Sequence, residues 1–401
     1  MRRLLLAALI CAAAPARAGT VEDWVELSLA LGHKSGADVP VVLDRLATAQ
    51  AALFEGMNAV EPRYRSAAGL SRAAPGGSID AAGSAAAHDV LVSLYPGDKA
   101  AIDASLESAL STVRDARARA AGVAAGRAAA KKVLELRAKD GIDDAALWEP
   151  LPAAPGVYVA EGTPIGLAYG RARPWFLKKA AQLRPPPPPA PSSAMFLADL
   201  AELRAADSSK LSPPQKFVAG YWNDTNAFRL WISVIAHLTQ QPHRTLLQNA
   251  RLWARCAAVA TDASIAVFEA KYHYASWRPA TALAAQEPRW RPLFPTPGHP
   301  EYPCAHCIVA ASLAEVLAAE FGPAPAALAR MALPQRRTFH SFQEIVDEVE
   351  DARVWAGAHF RTSARAGSTM GQALARYELA VAWPPSPAVI TASAGGPRGP
   401  R

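Results

Sequence analysis

Cysteine is scarce in this chain: four residues in 401, while aromatic side chains make up only 7%. So few cysteines exclude a disulfide scaffold, and a chain of this length buries enough core to fold without one. The low aromatic share, beside abundant Ala, argues against a β-sandwich, because Ala forms helix readily and strand poorly. No dense Lys/Arg stripe with interleaved aromatics occurs, so the formal charge of +7 is no nucleic-acid signature. Beyond the first twenty residues no stretch is long and apolar enough for a transmembrane helix. Fixed-period repeats and persuasive strand pairs are missing as well. The expectation is an all-α protein without nucleic-acid partners.

What is present begins with "MRRLLLAALICAAAPARAGT". Arg2 and Arg3, the apolar run Leu4 to Ala14 and the small-residue site Ala16-Arg17-Ala18 read as a cleavable signal peptide over residues 1–18. The expected destination is a periplasmic or secreted space. Loss of the leader would remove three arginines, leaving 39 basic against 35 acidic residues and a charge of +4. Cys256, Cys304 and Cys307 would remain. An odd number in an oxidising compartment implies a free thiol or an intermolecular bond.

Helical patterns cover residues 21–60, with Trp24, Leu27, Leu31, Val41, Leu43 and Leu46 as core candidates. "AAAHDVLVSLY" and the long stretch from Asp98 to Gly141 predict a helix pair, with Asp98 as N-cap and "KDG" as the stop. Residues 148–191 differ in character. Five consecutive prolines in "RPPPPPAP" preclude helix or central strand and predict an extended arm. Helical periodicity resumes over about 192–380. The expected organisation is therefore an N-terminal helical region (19–147), the arm, a helical core (192–380) and a disordered tail (381–401).

Three segments of the last third carry the chemistry. In "KYHYASWRP", Lys271 and Arg278 lie two helical turns apart, and Pro279 ends the helix near Arg278. "PCAHCIVAASLAEVLAAEFG" places His306 in the first turn of a helix, where unpaired N–H groups and the dipole favour an anion. In "DARVWAGAHFRTSARAG", Gly357 permits a bend between Arg353 and His359, and Thr362 or Ser363 is placed to cap the next helix. Each segment alone reads as ordinary helix surface or structural histidine. Together they supply one Lys, two Arg and two His, as a tetrahedral oxyanion requires: cations for its oxygens, one histidine for the central atom and one for protons.

In order and spacing these segments resemble the superfamily that unites vanadium-dependent haloperoxidases, type 2 phosphatidic acid phosphatases and bacterial acid phosphatases. The family pattern K-x6-RP, P-S-G-H, S-R-x5-H-x3-D stands here as Lys271-x6-Arg278-Pro279, then Pro303-Cys304-Ala305-His306, then Ala352-Arg353-x5-His359-x3-Ser363. "AAHDVLVSLYPGDKAAIDASL", "GVYVAEGTP", "FVAGYWND" and "PTPGHPEYP" resemble the larger soluble haloperoxidase-like bacterial members. The resemblance covers most of residues 85–380 and implies the helical bundle of that superfamily.

It further implies Lys271, Arg278 and Arg353 as oxyanion clamps. His359 would be the vanadate ligand or phosphohistidine nucleophile, and His306 the acid–base residue. Cys304 and Ala305 stand where the family has Ser and Gly, so Cys304 offers only a weak S–H donor and Ala305 its N–H. Ser363 replaces the final Asp and removes an expected partner for a basic group. His299, His273, Trp277 and Trp355 are candidate pocket lining.

Three activities follow as expectations: halide oxidation by peroxide at His-bound vanadate, phosphomonoester hydrolysis through a phosphohistidine without any cofactor, or non-catalytic oxyanion or partner binding. The substrate would be a small molecule, and a homodimer is one expected assembly. Cys304 and Cys307 also form a CxxC pair at a helix start, which leaves a disulfide or redox role open. A zinc site there would lack a fourth ligand and would sit among positive charges.

Overall fold

The computed structural model describes residues 21–70, 74–160, 162–223, 226–284, 286–331 and 338–387, with the side chains of 226–228 not described. The leader and most of the tail lie outside these residues. Among those described the chain is helical and forms no β-strand, only two isolated bridges. No described helix is long and apolar enough to cross a membrane.

Five helices come first: α1 Val21–Ser35, α2 Val39–Val60, α3 Ile79–Leu94, α4 Lys99–Ser111 and α5 Ala116–Arg137. Nine follow: α6 Ala194–Ala205, α7 Pro213–Asn223, α8 Asn226–Thr239, α9 Leu246–Tyr274, α10 Pro279–Leu283, α11 Ala305–Phe321, α12 Ala326–Ala329, α13 Phe342–Trp355 and α14 Arg361–Val381. α2 packs against α3, α5 and α9, while α11 packs on α9, α13 and α14. One apolar core thus runs from the first helices to the last. Trp24, Leu31, Val41, Leu43 and Leu46 are buried in it, and Leu27 is partly buried against it.

Several boundaries differ from the sequence expectation. The stretch from Asp98 to Gly141 is two helices, because Asp115 accepts the N–H groups of Arg117 and Ala118 and caps a new start. Asp98 flanks α4 but makes no side-chain cap, pairing with Lys34 instead. α9 stops at Tyr274, where Ala275 turns left-handed at φ 45°. Lys271 and Arg278 therefore do not share a continuous helix; Arg278 precedes the proline that opens α10.

α11 and α14 approach closely because Gly367 and Gly371 carry no side chain. A Cβ at Gly371 would lie 2.3 Å from the Ile308 carbonyl oxygen, and one at Gly367 2.5 Å from that of Cys304. The proline run 185–189 forms no helix, as its residues dictate, but the arm before it carries two 3-10 turns, Tyr169–Arg171 and Ala180–Leu183, and is fixed to the C-terminal helices. Tyr302 donates its hydroxyl to the Pro186 carbonyl (2.8 Å), and Tyr274 donates to that of Pro185.

Candidate active site

A cavity of about 440 Å³ opens between α2, α7, α8, α9, α11 and α13, within the range of small-molecule sites. One end is polar, formed by Asn223, His299, Ala305, His306, Arg353 and His359. Val39, Leu43, Trp222, Trp231, Val267, Val309 and Val349 are among its apolar walls.

His306 sits one residue inside α11. Cys304 N-caps this helix through sulfur, its Sγ accepting the Cys307 N–H at 3.2 Å, and its carbonyl takes the Ile308 N–H. The N–H groups of Ala305 and His306 have no acceptor within the helix, so the positive end of the dipole meets the cavity. Cys304 and Cys307 are joined in a disulfide. Cys304 thus has no S–H to donate, and it does not line the cavity, contrary to the donor role expected for it.

His359 reaches the cavity through the bend foreseen at Gly357, whose φ is 69°. A side chain there would collide with Pro292 and Trp290, its Cβ lying 2.8–2.9 Å from both. Neither Thr362 nor Ser363 caps α14, which starts at Arg361. The Thr362 N–H is accepted by Asp199 of α6 at 3.1 Å, so a carboxylate from another helix takes that role.

The three cations are fully buried but unequal in position. Arg353 lines the cavity; its Nη1 donates to Asn223 Oδ1 at 3.0 Å, and its buried Nε has no hydrogen-bond partner. Arg278 stands behind the histidines, donating Nε to the His299 carbonyl (3.0 Å), Nη1 to that of Ala358 (2.8 Å) and Nη2 to His299 Nδ1 (3.0 Å). Its Nη1 is also 3.5 Å from His359 Nε2. Lys271 donates to the carbonyls of Pro300 (3.1 Å) and Glu301 (2.7 Å) and does not reach the cavity surface. The expected clamp from Lys271 is, in this geometry, a brace for the loop before α11.

Burial dominates the electrostatics. It pulls Arg353 down to about 9, with Arg278 adding to the effect, and pulls Arg278 down to about 10. Lys271 is lowered well below its usual value, by burial and then by Arg278. Desolvation and the neighbouring cations also hold His299, His306 and His359 well below the usual histidine range, so all three are neutral. Cations crowded in a dry site and a buried guanidinium N–H without an acceptor are the complement of an oxyanion.

Of the remaining candidates, His299 lines the cavity with its ring 5.0 Å from that of Phe268. Three others do not reach it. His273 is exposed and contacts Arg184. Trp277 stacks on Phe196 and borders a separate 120 Å³ cavity beneath the arm. Trp355 packs against an alanine cluster around Ala219.

The residue not anticipated is Glu301. Its Oε1 lies 2.7 Å from His359 Nδ1 and accepts the Phe360 N–H at 3.1 Å. Ser363, at the position of the missing Asp, has its Oγ 3.5 Å from the same nitrogen. The only local signal was a carboxylate in the proline-bounded run "HPEYP", where a charge must be buried or turned outward.

Residues 251–383 match the family model described as the VCPO second helical-bundle domain. Among solved structures the chain is similar to a bacterial vanadium-dependent iodoperoxidase, with TM-score 0.75 and 21% identity over 89% of this chain and 95% of that one. It is also similar to a bacterial vanadium-dependent chloroperoxidase. The holo-type gives TM-score 0.70 and 15% identity over 85% of this chain and 91% of that one. The apo-type gives 0.68 and 15% over 85% and 92%. No curated protein matches the chain. At these identities the structural likeness establishes the shared helical fold.

Proposed function

We propose that this chain belongs to the vanadium haloperoxidase and type 2 phosphatidic acid phosphatase superfamily and is an exported haloperoxidase-like enzyme that binds vanadate at His359. The observation that carries the reading is the buried, unpartnered Nε of Arg353 at the polar end of a cavity shared with His306 and His359. A donor left without an acceptor there fits a tetrahedral oxyanion, and Arg278 supplies charge from behind. When bound, vanadate would supply the Lewis acidity that activates peroxide toward a halide.

The chain's own residues do the rest. His359 offers Nε2 to the central atom and is held from behind at Nδ1. Arg353 donates to oxygen and is itself steadied by Asn223. The N–H groups of Ala305 and His306 supply the helix-start dipole. The His306 ring, neutral because burial and Arg353 disfavour its charged form, can take a proton from a bound oxygen and return it. The apolar walls exclude water and leave room for an organic acceptor beside the anion.

Orthovanadate added to the purified mature protein should raise its melting temperature and confer peroxide-dependent bromination or iodide oxidation. His359→Ala should abolish both. Nitrophenyl-phosphate hydrolysis without halide oxidation would replace this reading by the phosphatase one. Failure of orthovanadate and phosphate alike to shift the melting of folded protein would reduce the site to a non-catalytic pocket.

A further inference from the structure

We propose that Glu301 is the positioning residue of the site: its carboxylate fixes His359 as the Nδ1–H tautomer and so leaves the Nε2 lone pair facing the cavity. This rests on the reading of His359 as the anion-binding histidine, but the tautomer itself can be measured without any anion.

A neutral imidazole carries one N–H, and its neighbours decide where. At Nδ1 the neighbour is Glu301 Oε1 at 2.7 Å, an oxygen that already accepts the Phe360 N–H and so faces the ring as an acceptor. At Nε2 it is Arg278 Nη1 at 3.5 Å, and a guanidinium only donates. Both neighbours demand the same tautomer. Ser363 cannot impose it: its Oγ is 3.5 Å away, and a hydroxyl serves as donor or acceptor. The carboxylate that the residue four positions after His359 does not provide thus comes from another segment, 58 residues earlier in the chain.

That segment is built to hold it. The Glu301 N–H donates to the Ser276 carbonyl at 2.9 Å, and its own carbonyl accepts Lys271 Nζ at 2.7 Å. Pro300 and Pro303 flank it, and the Phe360 N–H anchors the same oxygen that meets His359. The side chain is 1% exposed. Lys271 therefore acts on His359 at second hand, through the backbone of the residue that aims it.

Nitrogen-15 NMR of histidine-labelled, anion-free protein, with His359 assigned by loss of its signals in His359→Asn, reads the tautomer directly. An Nδ1–H imidazole is expected in the unmodified protein, and an Nε2–H imidazole overturns the proposal whatever any variant does. In Glu301→Gln the amide can donate as well as accept, so a mixed tautomer is expected. Orthovanadate and phosphate should then bind ~10–100-fold more weakly by calorimetry, as for other groups that orient a ligand histidine. Glu301→Ala with Ser363→Asp should restore the tautomer and most of the affinity, because an Asp there reaches Nδ1. An unchanged tautomer and unchanged affinity in Glu301→Gln would assign Glu301 to the fold alone. Loss of anion binding in the unmodified protein, with the Nδ1–H signal present, would refute the proposed function and leave the role of Glu301 standing.

Discussion

Glu378 is a buried carboxyl that keeps its proton. It lies fully buried against Asp262, whose carboxylate accepts N–H bonds from Trp175, Phe176 and Leu177. Burial raises Asp262 above its ordinary value, and these three donors work against that shift. Burial first, then the negative Asp262, raises Glu378 well above the usual carboxylate range and keeps it protonated. The folded chain holds a proton there that the unfolded chain releases above about pH 4.3. Stability from Glu378 is thus full in acid and is lost as pH rises. Glutamine imitates the protonated form at every pH. Melting curves of Glu378→Gln and the unmodified protein should nearly coincide at about pH 4, with the variant increasingly the more stable toward pH 8; parallel profiles would contradict the assignment. Glu301 and Glu378 also mark where residue-level reading of the sequence stops. Lys271, Arg278, Arg353, His306 and His359 were legible because their spacings survive in the linear chain. A carboxylate approaching from a loop 58 residues away leaves no spacing to read, and neither does the orphaned Nε of Arg353.

Among the elements, α11 and α14 decide the distance between the two cavity histidines, His306 and His359. His306 rides on the first turn of α11, and His359 stands two residues before α14. Gly367 and Gly371 set how near the two axes come, against the carbonyls of Cys304 and Ile308. Gly371→Ala should force them apart, destabilising the fold by ~1–3 kcal/mol as overpacked contacts do. Calorimetric melting should show the loss, accompanied by weaker phosphate binding because His306 retreats from His359. Affinity held at the unmodified value despite a lowered melting temperature would separate the helix contact from the site. Helix existence was readable from periodicity, whereas helix ends were not. Asp115 and Asp199 redirect boundaries by capping, and the second does so from another helix. Only contact in three dimensions supplies that information.

For the whole molecule, the cavity belongs to both halves of the chain. Val39, Pro40 and Leu43 of α2 close one side of a space whose polar end is made by the last third. On α11, His306, Val309 and Ala310 share the cavity face, as positions three and four apart on a helix do. Val309→Phe should fill part of the apolar end and leave the anion pole intact. The orthovanadate-induced melting shift should persist, while KM for a bulky organic acceptor rises about tenfold or more and KM for halide stays constant. A halide KM that rises equally would place the halide within the apolar half. The shared all-α bundle was legible from composition and periodicity; the division of the cavity between α2 and α11 was not, since no pattern in one stretch names its partner across the core.

The state of the cysteines bears on survival in service. Among the described residues, Cys304 and Cys307 are already joined beside the candidate site, and Cys256 is buried, with its thiol held far above its ordinary range. Sulfur in the thiolate form is the first casualty of a hypohalous acid. A catalyst that generates such a product would, with this arrangement, present it with no thiolate at the place where its concentration peaks, and would outlast many turnovers of its own oxidant.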